Sequence, residues 1–440
     1  MSNEKKRLAI IGSGIAGLGA LYRLSDLYEI TVFERDSYCG GHTNTLYVEE
    51  DGKRIPIDSG FMVFNETTYP LLTALLKHLQ VQTVDTDMSF SVQNRERHVE
   101  WSGTGFKRFF ARTENLFKPD FYRMLLNIDK FNKVGLRDVD NEMFEDVSVE
   151  EYVRSNQIHA KALEDYILPM MSSLWSATTD DMRKFPIRML LKFMQTHGLL
   201  HTYGQYQWKT ISGGASTYVR ELKQKIVPDL QLRTAAEQVS IRDNMVLIRT
   251  STGETHKFDK CIIAAHADQA AAMLDETSSD LKLQLQNFRY QKNLVSLHTD
   301  SSVMPATRGN WASWNYRLSE SGKTSSVHYW MNNLQPLDTK TNYFISLNSD
   351  HEIDPATIKQ KLVYHHPLFT VATNKAKRQL ERSNLSSKHV FLCGSYFGFG
   401  FHEDALRSAY SVADILSQPS HFEKHSRLTT LDTTLRDVAR

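Results

Sequence analysis

The feature that most constrains this chain lies within its first 34 residues. An apolar run, Arg7 to Ile11, leads into Gly12-Ser13-Gly14-Ile15-Ala16-Gly17 and then into a helix-compatible run, Leu18 to Leu27. A second β-branched run, Glu29 to Phe33, ends at the acidic Glu34. Strand, glycine turn and helix, with an acid about 20 residues further on, are the parts of a dinucleotide-binding βαβ unit. Gly12 permits the sharp turn, Gly14 lets backbone approach a pyrophosphate, and Gly17 lets the helix pack close to the strand. Ser13, Ile15 and Ala16 belong to the same turn and helix start, where free N–H groups face the phosphates. Glu34 is expected to accept hydrogen bonds from ribose hydroxyls and to repel a 2′-phosphate.

The rest of the composition narrows the class without naming it. The chain has 440 residues, with 52 Lys+Arg against 51 Asp+Glu, so 52 − 51 leaves a formal charge of +1. No basic block supplies the electrostatic footprint that nucleic-acid binding needs. Three scattered cysteines, Cys39, Cys261 and Cys393, show neither disulfide nor zinc spacing and fit a reducing, cytoplasmic setting. The uncharged stretch Leu8 to Tyr22 is shorter than the roughly 20 residues a membrane span requires. No HExxH or GxSxG pattern occurs, so zinc-dependent or serine-dependent hydrolysis lacks its motif.

The segment after the second strand separates two cofactor types. Glu34-Arg35-Asp36-Ser37-Tyr38-Cys39-Gly40-Gly41-His42-Thr43 resembles the acid-Arg-x(4)-Gly-Gly segment of the amine oxidase and desaturase group of flavoproteins. The adjacent glycines would let a second stretch of backbone come near the pyrophosphate of an extended FAD. The position that is usually Arg in that group is His42 here. Further segments resemble the group in its usual order: Asp58-Ser59-Gly60-Phe61, Trp208 to Gly214, Val239 as the residue whose backbone meets the adenine, and Val390 to Leu406. The last of these runs through Gly394, Ser395, Phe401, His402 and Glu403. Ser395 stands where the group often has an acid. The chain also resembles bacterial amine oxidase-like NAD/FAD-binding proteins that accompany cyclopropane fatty acid synthase-like methyltransferases.

That resemblance implies an α/β (α+β overall) fold, a Rossmann-like FAD domain of the glutathione-reductase type carrying an inserted mixed substrate domain. The FAD domain is expected from residues 1–75, 205–290 and 386–440, and the substrate domain from 76–204 and 291–385. Helix-compatible runs Pro119 to Val134 and Ser148 to Gln157 fall in the first insert, and strand-like alternation marks 291–350. The polar tail from Ser420 has no periodic pattern.

The implied chemistry is FAD-dependent removal of hydride from a C–H bond of a hydrophobic, acyl-type substrate, with oxygen or quinone as acceptor and peripheral membrane contact as a possible setting. Two alternatives stay open: an amine oxidase producing hydrogen peroxide, and a non-catalytic flavin-binding scaffold. FAD would do the hard chemistry, so few side chains need be catalytic. Lys292, one position from the place where amine oxidases carry a flavin-facing Lys, and His402, either a base or a helix cap, are the candidates. Trp311, Trp314, Tyr316, Tyr329 and Trp330 read as walls for an apolar ligand or as core. Met170, Met171, Met182, Met189 and Met194 read as a greasy channel or as core filler.

Overall fold

The computed structural model describes residues 5–94, 99–102, 117, 119–200, 206–318 and 325–417. The tail from Ser420 lies outside these residues.

A five-stranded parallel sheet forms around the opening strand. Its spatial order is Val390–Leu392, Lys260–Ile263, Arg7–Ile11, Glu29–Phe33, Asp229–Gln231. Successive side chains of a strand point to opposite faces, and a parallel sheet is covered on both. Accordingly Leu8 and Ile10 enter one core with the helices Ile15–Leu24 and His402–Ser417. Ala9 and Ile11 enter another, with Val239, Ile248, Phe258 and Leu274. The second core is roofed by the antiparallel strands Ala236–Arg242, Met245–Thr250 and Thr255–Phe258.

A seven-stranded mixed sheet takes its strands from elsewhere in the chain. Its order is Ile358–Leu368, Arg289–His298, Phe344–Leu347, Ser325–Trp330, Trp314–Leu318, Phe90–Asn94, Val99–Ser102. Beside it, helices Pro119–Asp138, Val149–Ser155, Leu168–Trp175 and Ile187–Thr196 enclose an apolar core. Ser148 and Glu151 cap the second of these helices reciprocally. Met170, Met171, Met182, Met189 and Met194 are packed in that core. They fill it and do not line the cavity described below.

Asp58 joins three distant segments. Its carboxylate accepts from Thr45 Oγ1 at 2.6 Å, from the Ala215 N–H at 2.9 and 3.0 Å, and from Gln335 Nε2 at 2.7 Å. Burial pushes its pKa up to about 7 against the pull of these bonds. Among the described residues no helix is long and apolar enough to cross a membrane.

Candidate active site

A cavity of about 690 Å³ runs between the parallel sheet and the mixed sheet. Its lining begins at the glycine turn. Gly12 has φ +101°, and a Cβ there would sit 2.8 Å from the Ala264 carbonyl oxygen. A Cβ on Gly17 would come within 1.9 Å of the Gly12 carbonyl oxygen, so helix and strand touch only because that Cβ is missing. Gly14 has no atom within 4 Å of its Cβ position, which leaves its Cα face open to the cavity. No side chain caps helix Ile15–Leu24 at its N-terminus. Its first N–H groups and the positive end of its dipole are therefore available to an anion.

Glu34 is held at the end of the second strand. Its Oε2 accepts from Ser13 N at 2.9 Å and Ser13 Oγ at 2.6 Å, and its Oε1 accepts from Asp36 N at 2.9 Å. The carboxylate thus has fixed direction and lone pairs to spare. Gly41, at φ +58°, packs so closely that its Cβ would lie 3.2 Å from Gly14 Cα. Gly60 lies under His42, where a Cβ would meet the His42 carbonyl oxygen at 2.3 Å. Arg35, Gly40, Gly60 and Phe61 also line the cavity, as do Gly394, Ser395, Phe401 and His402 at its other end.

His402 is the first residue of the last helix and stacks on Phe61, with ring centroids 3.8 Å apart. Its Nε2 lies 3.0 Å from Thr43 Oγ1, which in turn lies 2.6 Å from Tyr218 Oη. Burial lowers its pKa to about 3, so the imidazole is neutral. It does not cap its helix. Asp404, in the first turn, instead ties the preceding loop to the helix, accepting from the N–H groups of Phe399 and Phe401 at 3.0 Å each.

Five expected site residues stand elsewhere. Gly17 serves packing and does not line the cavity. Thr43 is buried and acts on His402 from behind. Glu403 points away, its two oxygens accepting from the N–H groups of Leu71 and Leu72 at 3.0 Å each. The Val239 carbonyl accepts from the Asp275 N–H, and the cavity is lined instead by Ala235, Ala236 and Glu237 at the start of that strand. Lys292 is exposed on its strand and outside the lining, whereas its neighbour Asn293 is fully buried. Of the aromatic cluster, Trp314 and Tyr329 line the cavity.

Several lining residues were not anticipated. His266, Tyr290, Tyr364 and His366 converge on His42: His42 stacks on Tyr364 at 4.7 Å and lies 5.2 Å from His366 and 5.9 Å from His266, ring to ring. His266 stacks on Tyr290 at 4.6 Å. From the helical segment come Leu174, Trp175, Phe193 and His197.

A model of the family described as flavin containing amine oxidoreductase matches residues 15–305. The chain belongs to that family and is an FAD-dependent oxidoreductase. Solved structures agree on the fold across almost the whole chain. Cyclohexylamine oxidase from Brevibacterium oxydans IH-35A aligns with a TM-score of 0.67 at 14% identity, over 94% of this chain and 100% of its own. The conjugated-linoleic-acid (CLA) producing fatty acid isomerase from P. acnes aligns at 0.66 and 14%, over 94% and 98%. Putrescine oxidase bound to putrescine aligns at 0.66 and 14%, over 94% and 99%. No curated protein sequence matches the chain.

The residues present suit the cofactor. The cradle is shaped by contacts at Gly12, Gly40 and Gly60 that a Cβ would break, and His42 Nε2, His266 Nδ1 and Tyr396 Oη are buried without a hydrogen-bond partner among the described residues. Buried polar atoms left in this state are expected where a ligand is to be received.

Proposed function

We propose that this enzyme removes hydride from a C–H bond of a hydrophobic, acyl-type substrate, and that its substrate end is the part of the cavity walled by the mixed sheet and the helical segment. One observation carries the reading. The Asp, Glu and Arg side chains of the described lining, namely Glu34, Arg35, Asp36 and Glu237, all come from the parallel-sheet side, and no Lys is among them. The walls on the other side are Met88, Leu174, Trp175, Phe193, Val295, Trp314, Tyr329, Leu347 and Val363, with His197 and the pair His365-His366 as the basic groups. Burial holds His197 at about 4 and His366 at about 3, so both are neutral. An alkylammonium group would meet no carboxylate there, and a desolvated cation without a partner is strongly disfavoured. An alkyl chain would gain roughly 0.8 kcal/mol for each buried CH₂.

The division of labour follows. The N–H groups of Ile15 and Ala16 with Gly14, Gly40 and Gly41 would hold the pyrophosphate, Glu34 the adenosine ribose, and Gly394, Ser395, Phe401 and His402 the flavin end. Bound FAD supplies the hydride-accepting ring. The apolar walls orient the reacting C–H bond and exclude water. His402, neutral and fixed by Thr43 and Phe61, contributes shape and a hydrogen bond rather than charge. The division into cofactor and substrate units is supported by strand membership: strands from within 1–75, 205–290 and 386–440 make the parallel sheet, and the mixed sheet draws on 76–204 and 291–385, its strand Arg289–His298 starting at the boundary.

The test is anaerobic stopped-flow reduction of the bound flavin by long-chain acyl compounds and by mono- and diamines. Acyl compounds are expected to bleach the visible flavin band and amines to leave it. Faster bleaching by an amine would reverse the assignment.

A further inference from the structure

The pyrophosphate of FAD carries two negative charges, yet fixed positive charge is scarce beside its cradle. Arg35 is the one Lys or Arg side chain among the described lining residues. Its own side chain is largely exposed and turned to Asp36 at 3.5 Å. Glu34, Asp36 and Glu237 line the same end. Helix N–H groups alone would have to hold the dianion against three carboxylates.

The structure places imidazoles where the missing charge would be needed. His42 directly follows Gly41, whose backbone packs on Gly14 at the helix start. His266 follows Ala264 and Ala265, against which Gly12 packs. Each is partly buried, with one ring nitrogen that is itself buried and lacks a partner among the described residues, Nε2 of His42 and Nδ1 of His266. The rings are 5.9 Å apart, too close for both to charge comfortably. His366, next to them, is differently placed. Asn293 Oδ1 accepts from Asn348 Nδ2 at 2.7 Å, which fixes the amide so that Asn293 Nδ2 donates to His366 Nδ1 at 2.9 Å. A proton on that nitrogen would face another donor, so His366 stays neutral.

We propose that His42 and His266 form a titratable counter-charge site for the FAD pyrophosphate, taking one proton from solvent when FAD binds and returning it when FAD leaves. This rests on the placement of FAD given above. The groups facing the pair are Glu34, Arg35, Asp36 and Tyr38 on the segment before His42, Asp268 after His266, Tyr290, Tyr364, His365 and His366 from the mixed sheet, and His402 from the last helix. Without an anion, burial first, then repulsion from His266, His402 and His365, holds His42 at about 3, and burial, then repulsion from His366, His365 and Arg35, holds His266 at about 4. An adjacent dianion reverses the sign of the local field and favours the charged ring.

The experiment is calorimetric titration of the full-length apoprotein with FAD at about pH 8, in Tris and in HEPES, whose ionisation enthalpies differ. Uptake of about one proton per FAD is expected, with Kd rising by up to about tenfold per pH unit. The double variant H42Q/H266Q should bind with no proton exchange, H366Q should keep it, and H42R should bind with a Kd that is nearly flat in pH. Either single Gln variant, expected to reduce the uptake, serves if the double variant does not fold. Wild-type binding without proton exchange from about pH 6.5 to 8.5, or full uptake by the double variant, overturns the histidine assignment alone. Failure of the wild-type apoprotein to bind FAD at any pH overturns the cofactor placement with it.

Discussion

Glu34 offers the sharpest test of the cofactor end, because its hydrogen bonds distinguish two substitutions that differ little in size. In Glu34→Gln one carboxylate oxygen becomes an NH₂ group and must face a donor. Turned toward Ser13 it would oppose a fully buried N–H; turned toward Asp36 it opposes one that is only partly buried. The second orientation wins, since solvent offers the Asp36 N–H an alternative. The cost then falls at the low end of the roughly 1–3 kcal/mol for an unpaired buried donor. That cost falls on the apoprotein; FAD binding weakens through the charge lost toward the ribose, and about 1 kcal/mol there is about fivefold in Kd at 1.4 kcal/mol per decade. Glu34→Ala removes all three acceptor contacts and leaves Ser13 N–H unpaired in the interior. It gives the less stable apoprotein, and losing both oxygens toward the ribose, up to about 3 kcal/mol for a hydrogen bond to a charged group, makes FAD binding about a hundredfold weaker. Quenching of FAD fluorescence on titration into apoprotein reads both Kd values, and thermal melts of the apoproteins report the same order without cofactor. The reasoning is refuted if Glu34→Ala binds FAD as tightly as wild type, or if Glu34→Gln is the more damaging of the two.

Three further outcomes are expected. Gly14→Ala should melt like the wild type, because its Cβ position is open at an ordinary φ of −68°, yet bind FAD poorly; Gly17→Ala should lose both binding and about 1–3 kcal/mol of stability, because its Cβ would collide with the Gly12 backbone. Melting curves and FAD titrations side by side separate the two, and equal stability loss would discredit the packing argument. Apoprotein stability should fall as pH drops from about 6.5 toward 4: burial holds His42, His197, His266, His298, His366 and His402 at about 3 or 4, so below 6.5 the unfolded chain gains protons that the folded one cannot. Each contributes a loss of about 1 kcal/mol between pH 6.5 and 5.5, and a melting temperature flat across that range would contradict the burial assigned to them. Lys292→Ala, at an exposed position, should leave the rate of flavin reduction within about twofold of wild type, well inside the usual range for surface changes.

The cofactor end was legible in the sequence because it is governed by local sterics. Glycines at 12, 17, 40 and 41 are demanded by close approaches or positive φ that a side chain would strain, and such demands leave a spacing that can be read directly. The expected residues that fall outside the lining lie where direction depends on distant partners. Thr43 and Glu403 adjoin lining residues in the chain, but Tyr218 and the amides of Leu71 and Leu72 turn them away. Val239 is packed in the core with its carbonyl taken by the Asp275 N–H, so the lining falls to Ala235, Ala236 and Glu237 at the start of the strand. The histidines were missed for another reason. Metal-ligand spacing asks whether two histidines share a helix face, whereas His42, His266 and His366 come from a loop, a strand exit and a strand edge that meet only in the folded chain.

The two ends of the cavity solve one electrostatic problem in opposite ways. At the proposed substrate end an alkyl chain would call for little charge, and the apolar walls with His197, held neutral by burial, suit that. At the pyrophosphate end a charge is required only while the cofactor is bound. A permanent guanidinium buried there would demand its own partner in the apoprotein, at a desolvation cost of several kcal/mol. An imidazole avoids that cost by staying neutral until the anion arrives, and the fold can then bury His42 against Tyr364 without a counter-ion. The consequence is a coupling that a fixed charge could not give: conditions that favour protonation strengthen cofactor binding while they weaken the empty fold. In acid, FAD should therefore stabilise the chain by a growing margin, and the gap between apo and holo melting temperatures should widen as pH falls from about 8 to 6. A gap that narrows over that range would mean that FAD binding releases protons rather than taking them up, and would place the compensating charge on the helix amides and Arg35 instead.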